Sequence, residues 1–316
     1  MSIVTTSFND VFSLHFSHQT ALFSPLDNII QLTFDDNYLD QTVNLMYSII
    51  RHNPSGISFV CTCPVLSQKS VDVLMSLPFG IQLKCFAFAL DLETGRWALS
   101  TVLRLFSPWF LDQEIHKVLY MDSDILCCGS LQPLFDLEVP GIAMCNEISG
   151  NTGKYQQDMI RPILPAQIYC NAGVTLFNLD YLRARYSFAD IYGELQDRNG
   201  VFHYLDQDIL NVFFRDQLLV LNGFHWDFQP HELKGTPFFK NALRNCRLIH
   251  FSVGKPWLYK SRLYLMRLYL KHSSYPPMIA KVKKTVCKRI LYLPIAIGRR
   301  MLSPIKQAIL AARGQK

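Results

Sequence analysis

Short apolar segments of strand character alternate with segments of helical periodicity over residues 29–124. Parallel strands need a crossover of a dozen or more residues between them, and a helix usually provides it. The alternation therefore predicts an α/β fold with a mostly parallel sheet and helices on both faces. The strand-like segments are IIQLTF (29–34), ISFVCTC (57–63), GIQLKCFAF (80–88) and HKVLYM (116–121).

The rest of the chain continues this pattern and ends in a basic segment. We expect a strand over 141–148, a strand leading into a helix from residue 169, and a helix over Tyr204–Phe214. A further strand, Leu248–Leu258, breaks into a Gly-Lys-Pro turn. The weak periodicity of the first 28 residues indicates at most a short leading helix. We divide the chain into an N-terminal extension (1–28), an α/β domain (29–258) and a basic amphipathic C-terminal region (259–316).

Composition limits the class of protein. With 49% hydrophobic and 18% charged residues, the 316-residue chain has ample material for a globular core. No run of about 18 apolar residues predicts a membrane-spanning helix. The nine cysteines follow neither a disulfide nor a zinc spacing, and no Lys or Arg precedes Arg51. We therefore expect no secretory signal and a reduced, cytosolic chain. The sequence also contains neither the glycine-rich motif of dinucleotide-binding enzymes nor a P-loop motif.

Charge is distributed unevenly along the chain. Residues 1–232 contain 12 Lys and Arg against 25 Asp and Glu, a net charge of −13. Residues 233–316 contain 19 Lys and Arg and no acidic residue, which brings the whole chain to +6. The asymmetry predicts an anionic partner for the C-terminal region. Because no nucleic-acid-binding motif accompanies it, we expect no nucleic-acid partner.

Two carboxylates one residue apart, Asp122 and Asp124, follow the fourth predicted strand. Ligands of parallel sheets bind beyond the carboxyl ends of the strands, and paired carboxylates suit Mg²⁺ or Mn²⁺ with positions open for a diphosphate. Asp-x-Asp occurs twice in the chain, where about one occurrence is expected by chance. The pair alone therefore also fits a strand end that has reached water, or an aspartyl-phosphate phosphatase, whose motif usually lies on the first strand.

His250 and Lys255 accompany the last predicted strand. An imidazole added to two carboxylates favours Mn²⁺ over Mg²⁺. A lysine in a Gly-Lys-Pro turn can reach a phosphate as a point charge. Each residue also has a structural interpretation, as a half-buried histidine at a strand end and as an exposed lysine in a turn.

Five segments resemble those of one family in order and spacing. The chain is similar to family 8 of the retaining glycosyltransferases, in the branch of lipopolysaccharide glucosyl- and galactosyltransferases, over about residues 29–258. The matching segments are FDDNYLDQTVNLMYSII (34–50), LYMDSDILCCGSLQPLF (119–135), YCNAGVTLFNLDYLR (169–183), YLDQDILN (204–211) and IHFSVGKPW (249–257).

The resemblance implies a GT-A catalytic domain over residues 29–258. It also implies a UDP-galactose or UDP-glucose donor and a lipid-linked saccharide acceptor, for which the lipopolysaccharide core is the expectation. The implied ligands of Mn²⁺, or of Mg²⁺, are Asp122, Asp124 and His250. The residues implied to contact the uridine of the donor are Asp35, Asn37 and Tyr38. Those implied to bind nearer its diphosphate and sugar are Ser123, Arg104, Gly173 and Lys255. The implied catalytic residues are Asn171, Asp206, Gln207 and Asp208, while Glu147 lies near a family acid in a poorly matching stretch.

The chain departs from the family at one loop. Four residues separate His250 from Lys255, where the family more usually has five, so the lysine approaches a phosphate from a different angle. For the mechanism, a double displacement needs a carboxylate nucleophile. Because Gln207 occupies the expected position, we favour a front-face reaction. Asp206 or Asp208 then orients Gln207 or stabilises positive charge.

The C-terminal segment 278–316 alternates basic and apolar residues. In helical register Ile279, Val282 and Val286 share a face with lysines beside it, which is typical of a helix on an anionic membrane. The alternative is a helix that caps the core and exposes a basic face. We expect a cytoplasmic enzyme bound peripherally to the inner face of the plasma membrane. An inactive protein that binds sugar nucleotides is the alternative function.

Overall fold

A computed structural model describes residues 6–88, 99–147, 158, 160–163, 168–199 and 201–290. The strands are β1 (Phe12–Gln19), β2 (Asn28–Leu32), β3 (Ile57–Pro64), β4 (Gly80–Phe88), β5 (Lys117–Met121), β6 (Ile125–Cys127), β7 (Ile142–Asn146), β8 (Cys170–Asn178), β9 (Leu218–Leu221) and β10 (Leu248–His250). The longer helices are α2 (Leu39–His52), α3 (Gln68–Met75), α7 (Leu179–Arg185), α8 (Phe188–Arg198), α9 (Leu205–Phe213), α12 (Phe239–Asn245) and α13 (Leu263–His272). The single-turn helices are α1 (Phe8–Val11), α4 (Leu99–Val102), α5 (Ser107–Phe110), α6 (Gln132–Phe135), α10 (Gly223–Trp226) and α11 (Pro230–Leu233). Residues 276–290 are also helical and are called the C-terminal helix below.

Eight of these strands form one sheet in the order β1-β4-β3-β2-β5-β8-β7-β9. Strands β4, β3, β2 and β5 are parallel neighbours, and β7 is parallel to β9. Strand β8 runs antiparallel to both β5 and β7. The predicted α/β fold with a mostly parallel sheet is therefore confirmed. Because β3 and β5 lie on opposite sides of β2, the strand order reverses there and opens a crevice at the carboxyl ends of β2 and β5.

The central strands lie close to their predicted positions. Strand β4 coincides with the predicted segment 80–88, and α9 lies within the predicted helix Tyr204–Phe214. The helical periodicity of residues 96–111 predicts a helix broken near Pro108, and the described part of this segment is a series of short elements: α4, a 3₁₀ turn at Leu103–Phe106, and α5. Pro108 stands at the start of α5, where its missing N–H is tolerated. The beginning of that predicted helix lies outside the described residues.

The N-terminal extension contributes a strand rather than only a short helix. After the single turn α1, strand β1 pairs antiparallel with β4 and forms one edge of the sheet. Phe12 is buried and packs edge-on against Phe88, Phe106 and Phe110. The strand was not predicted, although Phe12, Leu14 and Phe16 alternate with polar residues; most of its side chains, including Leu14, are exposed.

A third layer carries the C-terminal part of the described chain. Strands β6 and β10 form a separate two-stranded antiparallel sheet. The strand expected over Leu248–Leu258 is therefore present as β10, but it is only three residues long. Met278 and Val282 of the C-terminal helix are fully buried in the cluster beside this sheet. We expected the apolar face of this helix to lie on a membrane, but it packs against the protein instead. The lysines of the helix are exposed. Residues 291–316 of the predicted membrane segment lie outside the described residues.

Across the parts of the chain that the structure describes, each helix is too short or too polar to cross a bilayer.

Candidate active site

The Asp122–Asp124 turn lies at the carboxyl end of a central strand. Strand β5, which lies between β2 and β8 in the sheet, ends at Met121, and β6 begins at Ile125. The three residues between them carry the chain out of the sheet. The backbone N–H of Asp122 donates to the carbonyl of Gly173 on β8 at 2.8 Å. Both carboxylates therefore line the crevice at the strand ends.

His250 reaches the same crevice through strand pairing. It stands opposite Ile125 in the β6–β10 pair, and the N–H of Phe251 donates to the carbonyl of Asp124 at 3.0 Å. His250 Nε2 lies 3.1 Å from Asp124 Oδ1 and 3.8 Å from Asp122 Oδ2. Within the described residues, this is the one group of three or more His, Cys, Asp or Glu side chains whose ligand atoms all lie within 4.8 Å of one another. Two carboxylates and an imidazole are a donor set that fits a divalent cation such as Mn²⁺.

A buried carboxylate holds the other nitrogen of His250. Nδ1 lies 2.7 Å from Oδ1 of Asp227, which is fully buried. Because an ionised carboxylate only accepts hydrogen bonds, Nδ1 carries a proton and Nε2 faces Asp122 and Asp124. Burial opposes a charge on His250, but Asp124 and Asp227 outweigh it and raise the pKa of His250 well above its usual value. A cation held at Nε2 would take the place of a proton there.

Lys255 forms an ion pair with Asp124 Oδ2. Burial opposes the charge on Asp124, but Lys255 and His250 outweigh it and hold the pKa of Asp124 below its usual range. Between His250 and Lys255 the chain turns at Gly254, whose φ of +74° strongly favours glycine. The short loop therefore places the lysine directly on one of the two clustered carboxylates.

Gly173 gives the imidazole of His250 the space that it occupies. A Cβ at Gly173 would collide with His250 Cε1 and would lie 2.9 Å from both His250 Nδ1 and Asn171 Oδ1. The N–H of Gly173 also donates to Asn171 Oδ1 at 2.8 Å. Glycine is needed here for close approach of a side chain to the backbone.

Arg104 is a buried cation between two carboxylates. Its Nη2 lies 2.8 Å from Asp122 Oδ1, and its Nε lies 3.0 Å from Asp206 Oδ2. The guanidinium also lies over the ring of Tyr120, with 4.4 Å from its central carbon to the ring centroid. Burial opposes its charge, but Asp122, Tyr120 and Asp206 raise the pKa of Arg104 further. Burial raises the pKa of Asp206 to about 6, although Arg104 opposes this effect.

Gln207 is held at both ends of its amide. Its Oε1 accepts from the N–H of Ala172 at 3.1 Å, and its Nε2 donates to the hydroxyl of Tyr169 at 3.0 Å. That hydroxyl donates in turn to Asp208 Oδ1 at 2.5 Å. Asp208 is fully buried, and its Oδ2 accepts from the N–H of Tyr204 at 2.8 Å. The Tyr169 hydroxyl therefore links Asp208 to Gln207.

The turn after β2 and the start of α2 form the other end of the crevice. The carboxylate of Asp35 accepts from the N–H of Asn37 at 2.9 Å and so begins the 3₁₀ turn that contains Tyr38. The hydroxyl of Ser123 accepts from that of Thr42 at 2.8 Å, which connects the Asp122–Asp124 turn to α2. The ring of Tyr38 is half-buried and open to the crevice.

An open cleft of about 620 Å³ joins these groups, within the size range of small-molecule sites. Asn37 is exposed outside its lining, and Asp208 lies buried behind it. Glu147 does line the cleft, and burial and Asp227 raise its pKa. The other predicted residues that line the cleft are Asp35, Tyr38, Arg104, Asp122, Ser123, Asp124, Asn171, Gly173, Asp206, Gln207, His250 and Lys255.

Sequence reasoning did not identify several groups at this site. Asp227 and Tyr169 act behind the cleft, and no motif distinguishes them from structural residues. The segment WDFQPHE, residues 226–232, concentrates polar side chains in a short stretch, and this was the one available signal. The additional lining residues with polar side chains are Thr33, Ser100, Thr101, Tyr120, Tyr204, Gln229, His231, Glu232 and Ser252.

Comparison with known proteins identifies the family. The family model described as glycosyl transferase family 8 matches residues 29–261, well over half of the chain. The chain belongs to glycosyltransferase family 8. The predicted resemblance is thereby confirmed, and membership in a family of sugar transferases overturns the phosphatase alternative.

The similar proteins include transferases of both hexoses. The chain is 24% identical over 261 residues to the lipopolysaccharide 1,2-glucosyltransferase of Escherichia coli K12, covering 75% of this chain and 74% of that protein. It is 27% identical over 267 residues to the lipopolysaccharide 1,3-galactosyltransferase of Salmonella typhimurium, covering 73% and 79%. The solved structure of galactosyltransferase LgtC with donor and acceptor sugar analogues superposes with a TM-score of 0.63 at 22% identity, covering 77% of this chain and 94% of that one. The fold of this family 8 member is GT-A.

Proposed function

We propose that this family 8 glycosyltransferase transfers galactose or glucose from a UDP-sugar to a saccharide acceptor and retains the anomeric configuration. The observation that carries the proposal is the convergence of Asp122, Asp124 and His250 at one wall of the cleft, next to Arg104. Hard ligands and a buried cation on one wall suit a diphosphate. Both hexoses remain candidates because the related transferases include one of each.

The three ligand residues would hold Mn²⁺ or Mg²⁺. When bound, the cation would supply positive charge that stabilises the departing UDP. The chain itself supplies two further positive charges, on the side chains of Arg104 and Lys255. Arg104 is fixed between Asp122 and Asp206, and Lys255 reaches the same wall through its contact with Asp124.

The remaining groups divide the cleft into a nucleoside end and a sugar end. We assign Asp35 and Tyr38 to the uridine, with the Tyr38 ring near the uracil. Asn37 supports this end through its N–H bond to Asp35, because its side chain lies outside the lining. Ser123 lies beside the diphosphate wall. The sugar would contact Asn171, Gly173, Asp206 and Gln207, with Glu147 behind Asn171.

A front-face reaction fits the side chains at the sugar end. Gln207 carries an amide, which is a poor nucleophile, and both of its ends are engaged by the protein. The carboxylates next to it in sequence are also engaged, since Asp206 pairs with Arg104 and Asp208 is fully buried. The acceptor hydroxyl then enters on the face from which UDP leaves. Its proton passes to the departing phosphate oxygen, and the Gln207 carbonyl steadies the positive charge of the sugar.

For the acceptor, we propose a lipid-linked saccharide of the lipopolysaccharide-core type. The lipopolysaccharide transferases among the similar proteins support this assignment. The basic C-terminal region supports it independently, because an enzyme that works at the cytoplasmic face of the plasma membrane meets anionic lipids.

The test is UDP release from UDP-galactose and UDP-glucose, each in EDTA and after addition of Mn²⁺. We expect metal-dependent turnover with one donor, and a loss of at least ~100-fold in Asp124→Ala, because a charge-stabilising group of this kind contributes several kcal/mol. Asp216→Ala is the matched control, since Asp216 is an exposed carboxylate outside the cleft. Tight UDP binding without turnover of either donor would favour the inactive alternative. Turnover indifferent to EDTA would refute the metal site.

A further inference from the structure

A chain of hydrogen bonds leads from His250 to the sugar end of the cleft. His250 Nδ1 is held by Asp227 Oδ1 at 2.7 Å, and Asp227 Oδ2 accepts from Gln229 Nε2 at 3.1 Å. The same Nε2 donates to Glu147 Oε1 at 3.2 Å. One amide nitrogen thus uses its two hydrogens on two different carboxylates.

A second set of contacts closes this chain into a ring. The other oxygen of Glu147 accepts from Asn171 Nδ2 at 3.2 Å. Asn171 Oδ1 accepts from the N–H of Gly173, and the Gly173 backbone packs against the His250 imidazole. Each side chain of the ring is therefore fixed from two sides. Its members come from the ends of β7, β8 and β10 and from the segment before α11.

The amide of Gln229 is fixed in one of its two flips. Ser252 Oγ donates to Gln229 Oε1 at 2.8 Å, so the amide nitrogen faces the two carboxylates. Gln229 is 3% exposed and Asp227 is 0% exposed. Buried polar groups are costly unless they are hydrogen-bonded, and an apolar core would fill this space without that cost. A polar network at this point therefore indicates a role other than packing.

We propose that Asp227 and Gln229 are positioning residues for the cation site. Asp227 keeps the proton of His250 on Nδ1 and directs Nε2 toward Asp122 and Asp124. Gln229 holds Asp227 in place and connects it to Glu147 and Asn171, so the placement of the cation ligand and of the sugar-facing groups depends on one network. The inference rests on the proposed function, because it assumes that the cluster binds a divalent cation.

The test is the affinity for Mn²⁺ alone, measured from the free-ion signal in electron paramagnetic resonance. Loss of an outer partner of a metal-binding histidine typically weakens binding by about 10- to 100-fold. We expect losses of this size in Asp227→Asn and Gln229→Ala. Because the two residues act in one network, the double variant should lose no more than the product of the two single effects, and we expect less.

Two controls separate positioning from damage to the fold. Asp216→Asn removes an exposed carboxylate outside the cleft and should bind Mn²⁺ as the wild type does. Thermal unfolding identifies folded variants, and Gln229→Ala carries the test if Asp227→Asn does not fold. Wild-type Mn²⁺ affinity in the folded variants would overturn this inference alone. An absence of Mn²⁺ binding in the wild type would overturn the proposed metal site together with it.

Discussion

The two adjacent acids after β2 show what a motif leaves open at the scale of single residues. Asp35 lines the cleft, whereas the carboxylate of Asp36 accepts from the hydroxyls of Ser67 and Ser70 at the start of α3. Nothing in the pair itself distinguishes a binding residue from one that anchors a helix. By contrast, the resemblance to family 8 pointed to Asp122, Asp124 and His250 together, and these three side chains do form one cluster. Asp227 was not predictable, since its importance depends on a contact across 23 residues.

Gly173→Ala tests how closely the backbone approaches His250. We expect Mn²⁺-dependent turnover to fall by at least ~10-fold, because the new methyl group would displace the imidazole, and a 1 Å misplacement can lower rates by about 100-fold. The matched control is Gly193→Ala in α8, where a Cβ meets nothing within 4 Å. Equal turnover in the two variants would show that His250 does not need its observed position.

Gln207→Ala tests the chemical role of the amide at the sugar end. Removal of a group that stabilises transition-state charge should lower kcat by about 100-fold with little change in KM. Tyr169→Phe should have a smaller effect in the same direction, because it removes only the hydroxyl that joins Gln207 to Asp208. Steady-state kinetics with the preferred donor provide the measurement. Near-normal turnover of Gln207→Ala would exclude any mechanism in which Gln207 takes part.

At the scale of elements, the sequence predicted strands β2 to β5, β7, β8 and β10 and missed β1, β6 and β9. Strands β2 to β5 are rich in apolar residues and were located within a few residues. Most side chains of β1 are exposed, and β6 and β9 have only three and four residues, too few to show a period. The antiparallel direction of β8 was also out of reach, because direction depends on the path of the connecting chain rather than on the strand's own residues.

Phe12→Ala tests whether β1 is an integral part of the sheet. Truncation of a buried phenylalanine typically lowers the free energy of unfolding by about 3–5 kcal/mol, and Phe12 packs within a cluster of aromatic rings. Leu14→Ala on the same strand should cost about 0.5 kcal/mol or less, because Leu14 is 56% exposed. Urea unfolding measures both variants. Similar midpoints would mean that β1 contributes little to stability.

At the scale of the whole molecule, the C-terminal helix buries its apolar side chains and exposes most of its charged ones. Its apolar side packs on the third layer, so an amphipathic pattern alone did not distinguish a membrane-facing surface from one that faces the core. Lys283, Lys284 and Lys288 are exposed, whereas Lys281 pairs with Asp40 at 3.2 Å. We propose that the exposed lysines contribute to peripheral membrane binding through charge.

Substitution of Lys283, Lys284 and Lys288 by Gln tests this surface. A lysine near an anionic membrane contributes about 1 kcal/mol, so three substitutions should weaken binding to phosphatidylserine-containing vesicles by about 100-fold. The control replaces the exposed lysines Lys69, Lys234 and Lys240 instead. Vesicle co-sedimentation at fixed salt compares the two sets. If both sets of variants bind the vesicles equally, these three lysines do not mediate membrane association. Charge substitution is preferable to deletion from residue 278, which would remove the buried Met278 and Val282.

The central claim is retaining hexose transfer that depends on the Asp122–Asp124–His250 cluster. The most direct measurement is proton NMR of the product that the enzyme forms with Mn²⁺, the preferred UDP-hexose and a core-type oligosaccharide acceptor. We predict a new α-linked hexose, which keeps the configuration of the donor, and no product with Asp124→Ala. A β-linked product, or an α-linked product that Asp124→Ala forms at the wild-type rate, would contradict the account.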